Sequence, residues 1–186
     1  MEWRRLWSRR RAALLAALLV AARAPAPPAR LHSRLALPHA RAARLAHLLA
    51  DFSTQPQPGA WRVEEERGNY SEWRYRVSFE CGPRCAGEAR VHAAARGAPR
   101  HGLAPAHAVS LALTVCSHPP LLPWLAACDE TEVEATVRAE GGGCVLEESA
   151  RAWCGALRAL SGGCARALRD HRRGHLARLQ AMLPAH

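Results

Sequence analysis

An α+β fold is predicted for this 186-residue chain by three observations. Apolar residues first recur at helical spacing. A long middle region then alternates apolar and polar residues with a period of two. Helical spacing returns at the end. Helical and strand patterns are segregated along the chain, which predicts an N-terminal helix, an antiparallel meander of about five strands and a C-terminal helical pair. Seven cysteines predict that disulfides stabilise the fold. The expected divisions are a signal peptide over 1–24, a lead-in and helix over 25–58, the meander over 59–140 and the helical region over 141–186. Residues 25–186 form one domain, in line with the length.

The N-terminus carries a targeting pattern. Arg4, Arg5, Arg9, Arg10 and Arg11 precede the apolar run Ala12–Ala22, and small residues offer cleavage after Ala22 or Ala24. That run is shorter than the roughly 20 residues a bilayer span needs. Removing it takes six arginines and Glu2, which leaves 20 basic against 15 acidic residues, a net of +5 in place of +10. The basicity that would favour nucleic acid as a partner thus resides largely in the discarded segment. All 26 basic residues are Arg, Ile is absent, and Asn69 is the one Asn. Codons for the missing residues are AT-rich, so a GC-rich coding sequence accounts for the bias and favours a viral source.

After the proline-rich 25–30, Leu31 to Phe52 reads as helix, with Leu45, Leu48, Leu49 and Phe52 on one stripe and Pro38 in its first turn. Residues 53–59 (STQPQPG) break it. Trp61 and Val63 begin a strand. A turn at Gly68-Asn69 leads into a second, with Trp73, Tyr75, Val77, Phe79 and Cys81 on one face and Arg74, Arg76, Ser78 and Glu80 on the other. Ala89, Val91 and Ala93 mark a third strand, Val109, Leu111, Leu113 and Val115 a fourth, and Val133, Ala135 and Val137 a fifth. Pro119, Pro120 and Pro123 keep the intervening segment irregular. Leu146, Trp153, Leu157 and Leu160 form one helical stripe. Gly162-Gly163 interrupts it, and Leu168, Leu176, Leu179 and Met182 form the next.

The functional candidates are sparse. Asn69-Tyr70-Ser71 is a glycosylation sequon, placed at the tip of a predicted hairpin where a glycan has room. Cys81, Cys85, Cys116, Cys128, Cys144, Cys154 and Cys164 allow three bridges and leave one thiol, which either lies buried or joins a second chain as a covalent dimer. Sequence alone leaves the pairing open. No C-x-x-C occurs, so no metal site is predicted there. His171 and His175 lie one helical turn apart, but neither the glutamate of a metalloprotease nor a third ligand accompanies them. No nucleophile motif and no phosphate-binding loop is present, and the expected protein is not an enzyme and needs no cofactor.

Two segments are candidate contact surfaces. The helix from Cys164 to Leu179 carries Arg166, Arg169, Arg172, Arg173 and Arg178 against a lone Asp170, a face suited to an acidic protein or a glycosaminoglycan. Residues 121–125, with Trp124, form an apolar loop between two cysteines.

These features predict a secreted or virion-surface glycoprotein that binds another protein, either a membrane-anchored glycoprotein or a receptor or ligand. An envelope-complex subunit or a secreted immune modulator fits that description. Over residues 31–116 the element order, a helix followed by a long antiparallel meander with late disulfides, resembles cystatin-like domains. That resemblance implies an inhibitor or carrier module, although the Gln-x-Val-x-Gly loop of that family does not occur here. A third reading is a vertebrate signalling factor whose basic helix binds matrix.

Overall fold

The computed structural model describes residues 26–55, 59–69, 71–96, 106–118 and 126–183. The predicted signal segment and Trp124 lie outside the described residues. Seven strands form one antiparallel sheet: β1 (Ala29–Leu37), β2 (Trp61–Gly68), β3 (Glu72–Gly82), β4 (Cys85–Arg96), β5 (Ala106–Ser117), β6 (Ala127–Glu140) and β7 (Gly143–Trp153). Helix α1 (Ala42–Ala50) and a 3-10 turn (Phe52–Thr54) separate β1 from β2, and α2 (Ala156–Leu160) and α3 (Gly163–Met182) follow β7. The α+β class, the N-terminal helix, the antiparallel meander and the C-terminal helix are all present.

The strand order is β1-β7-β6-β5-β4-β3-β2. The first strand therefore lies beside the last. The chain crosses from one edge of the sheet to the other through α1, then meanders back one neighbour at a time. Alternation fixes which face is covered. Tyr75, Val77 and Phe79 of β3 line up with Val91 and Ala89 of β4, Leu111 of β5, Val133 and Ala135 of β6, and Leu146 and Ala150 of β7 on the covered face. Against it pack α1, through Leu45, Leu49 and Ala50, and α3, through Leu168 and Leu179.

Two expectations are corrected. Residues 31–37 are strand, with Leu31, Leu35 and Leu37 turned inward and Arg30, His32 and Arg34 outward. Pro38 sits in the turn that follows, and a residue preceding proline is pushed away from helical geometry. A strand therefore precedes the helix, which alters the element order behind the cystatin resemblance. Residues 143–153 are also strand, so the sheet has seven strands rather than five. The C-terminal helical region begins at Ala156 rather than 141.

Gly141 and Gly142, with φ of 56° and 86°, make a two-residue turn between β6 and β7. Successive positive φ values suit the right-handed twist of a hairpin. These glycines form a tight turn. The described tryptophans lie at the rim of the core: Trp61 is 44% exposed, and Trp73 and Trp153 are half-buried. The buried positions of the covered face hold Val, Leu and Ala together with Tyr75 and Phe79.

Three disulfides join Cys81 to Cys85, Cys116 to Cys128 and Cys154 to Cys164. They close the β3–β4 turn, link β5 to β6 and tie the end of β7 to the start of α3. Loops this short each contribute about 2–3 kcal/mol by restricting the unfolded chain. Such a framework fits an oxidising extracellular or periplasmic location. Among the described residues, no helix is long and apolar enough to cross a membrane.

Candidate functional site

The predicted hairpin is present, with β2 and β3 paired and Asn69 in the turn between them. Asn69 is exposed. Its Oδ1 accepts hydrogen bonds from the Ser71 amide at 2.9 Å, the Ser71 hydroxyl at 2.9 Å and the Glu72 amide at 2.8 Å. Three donors on one side-chain oxygen hold the turn, while the amide nitrogen of the side chain makes no hydrogen bond among the described residues. The sequon thus has its acceptor nitrogen free and its serine hydroxyl against the same side chain.

Helix α3 sorts its arginines by face. Cys164, Leu168, Arg172, His175 and Leu179 recur every three or four residues and form the buried stripe. Arg166, Arg169 and Arg173 follow the opposite side over about 10 Å of axis at 1.5 Å per residue. Arg178 lies on a flank, and all four are exposed. None makes an ion pair among the described residues. By contrast Arg34, Arg62, Arg74, Arg76, Arg90, Arg138 and Arg151, all on the sheet, are each paired with a carboxylate. Arg30, Arg41, Arg44, Arg67 and Arg84 likewise lack an ion pair among the described residues, but they are spread over β1, the start of α1, β2 and the β3–β4 turn. The α3 stripe is the dense concentration of uncompensated positive charge.

Arg172 does not belong to that stripe. It is 2% exposed and lies against the sheet, where it holds Glu148 of β7 in a two-pronged ion pair. Its Nε donates to Oε1 at 2.9 Å and its Nη2 to Oε2. Arg172 was expected on the anion-binding face; its position in the apolar stripe, four residues after Leu168, turns it inward. Glu148 occupies an inward position on β7 that an apolar residue would ordinarily fill, so each charge exists to satisfy the other.

His175 lies one turn further along, fully buried, with Nε2 3.5 Å from the Thr54 hydroxyl. Burial, reinforced by the neighbouring Arg172, lowers its pKa to about 3, so the imidazole is neutral. His171 is shifted downward for the same reasons. Among the described residues, three buried atoms lack a hydrogen-bond partner: Gln55 Oε1, Arg172 Nη1 and His175 Nδ1. Among the described residues, no group of three or more metal-binding side chains converges.

The open face of the sheet holds a shallow cavity of about 790 Å3 between Arg74, Arg76 and Arg90 on one side and Glu132 and Glu134 on the other. Its charges are largely satisfied within the protein. Arg76 meets Glu65 and Arg90 meets Glu88 at 2.8 Å, and Arg151 approaches Glu134 at 3.5 Å. Glu72 is shared between Arg74 and His92, and both hydrogen bonds lower its pKa.

The unpaired cysteine is Cys144, 2% exposed at the start of β7. Burial raises its thiol pKa. Of the two fates expected for the odd thiol, a buried residue or a bridge to a second chain, the folded chain has Cys144 buried. It behaves as a small apolar residue of the core.

Sequence reasoning passes over Glu148, weighs His175 only as half of a metal pair and reads Tyr75 only as an inward-facing strand residue. The Tyr75 hydroxyl donates to the Ala50 carbonyl and accepts from the Phe52 amide at 2.8 Å, locking the end of α1 to β3. Desolvation raises its pKa to about 12. For Glu148 and Arg172 the available signal was position: each charge sits in register with apolar residues of its own element.

No protein-family model matches the chain, and no curated protein matches it. Among solved structures, the crystal structure of the hypothetical protein jhp0584 from Helicobacter pylori is similar, with 13% sequence identity, 82% of this chain and 86% of that chain covered, and a TM-score of 0.47.

Proposed function

We propose that this chain is a secreted glycoprotein that acts by binding another protein, with no catalytic step of its own, and that the outer stripe of α3 is its contact surface. The observation that carries the reading is the contrast in charge pairing. Seven arginines of the sheet are paired within the molecule, whereas Arg166, Arg169 and Arg173 have no carboxylate partner among the described residues and stand together on one exposed helix face. Uncompensated charges so arranged steer an acidic partner into register. The disulfides and the exposed sequon support a secretory route. The GC-rich composition favours a viral envelope-complex subunit or a secreted immune modulator as the setting.

The partner class is an acidic protein surface. The stripe spans only two turns, and Asp170 borders it, which suits a protein patch better than a long sulfated polymer. The test is saturable binding of the labelled protein to cells. Wild type binds, protease treatment of the cells abolishes binding, and heparinase treatment leaves it intact. Combined R166E, R169E and R173E weakens binding by roughly tenfold or more, about 1.4 kcal/mol. A triple variant that binds as well as wild type overturns the assignment, and loss of binding after heparinase transfers the surface to a glycosaminoglycan.

A further inference from the structure

A second, smaller cleft lies beside the sequon. It has a volume of about 210 Å3 and opens between α1 and the adjoining ends of β3, β4 and β5. Asn69 and Ser71 line it, together with Trp73, His47, His107 and a floor of alanines from α1 and β4. The Trp73 ring is half-buried and fixed on several sides. It lies 4.6 Å from Tyr75 between ring centroids and runs nearly parallel to His47 at 6.2 Å, and its Nε1 donates to Glu66 at 2.8 Å.

We infer that this cleft seats the first N-acetylhexosamine of the glycan carried by Asn69. The inference rests on glycosylation at that residue. Size argues against a free ligand, since pockets for independent small molecules start at about 300 Å3. One amino-sugar ring is of the right scale. The lining has the character such a ring needs: an aromatic surface for its C–H face, alanines that leave room for it, and imidazoles at the rim for its hydroxyl and acetamido groups. Tethering supplies the affinity. A sugar attached to a lining residue faces the cleft at the millimolar effective concentration of a short linkage, so weak stacking suffices. The rigid turn built on Asn69 Oδ1 holds the attachment point still. The glycan then acts as a wedge that joins α1 to the hairpin.

The experiment uses protein secreted from mammalian cells, with occupancy read by mass. One sample is trimmed enzymatically to a single N-acetylglucosamine. Another is stripped completely by an amidase, which leaves Asp at position 69 and so keeps the turn's acceptor oxygen. The single-sugar form should melt several degrees above the stripped form and show NOEs from sugar protons to the Trp73 indole. Ala95→Leu, which fills the cleft, should leave the mass shift unchanged and erase the difference in melting temperature. Equal melting temperatures with no NOE, in a protein whose mass proves occupancy, overturn the seating and leave glycosylation standing. A melting difference that survives Ala95→Leu also overturns it. Absence of any mass shift removes the glycosylation reading and the inference with it.

Discussion

Arg172, Glu148 and His175 bring the polar chemistry of this protein into its interior. A buried carboxylate stripped of its guanidinium is costly, so Arg172→Leu or Glu148→Leu alone should destabilise the fold by about 3–5 kcal/mol in urea denaturation. The double replacement should recover most of that loss, because two apolar residues need no partner. His175 makes stability depend on pH. Its folded pKa of about 3 lies below the unfolded value near 6.5. The unfolded chain therefore binds a proton that the folded chain refuses, and stability is full above pH 6.5 and falls as pH drops from there toward 3. His171 adds to the same slope. His175→Leu should flatten that part of the profile, which thermal melts at a series of pH values would read. At Tyr75, removing the hydroxyl leaves the Ala50 carbonyl without this partner, and Tyr75→Phe should cost about 1–3 kcal/mol.

Elements differ in how clearly their sequences announce them. β3, β5 and β6 alternate cleanly because one face meets the core and the other meets water. Phe79 beside Glu80 and Val133 beside Glu134 leave little ambiguity. β1 was harder to read, since Leu31 and Leu35 stand four apart and merge with the leucines of α1 into one apparent helical stripe. β7 is obscured by Glu148, a charge on the inward face whose counter-ion lies 24 residues away on another element. The same concealment displaced Arg172 from core to surface in the sequence reading. The sequon at the hairpin tip is legible because turn chemistry is local; the exposed face of α3 proposed as the contact surface is legible only once the buried stripe is known. At this scale the Cys154–Cys164 bridge joins β7 to α3. Replacing both cysteines with serine should cost about 3 kcal/mol by urea titration. Thiol titration should find no reactive cysteine in the native protein and one after unfolding, because Cys144 is buried.

Across the whole molecule, stability should be graded over the sheet. β5, β6 and β7 have neighbours on both sides and helices over their inner face, whereas β2 is an exposed edge along its whole length. Amide exchange should accordingly be slowest in the first group and fastest in β2. The two edges also differ in origin. One ends in β2, which pairs with the strand made next. The other ends in β1, whose sheet neighbour among the described residues is β7, roughly 115 residues later. During synthesis at about 5–20 residues per second, β1 leaves the ribosome and waits roughly 6–23 s for its partner to exist. Throughout that interval an amphipathic strand stands unpaired, open to a chaperone or to the β7 of a neighbouring nascent chain. The last strand made is therefore the one that decides whether each molecule closes upon itself.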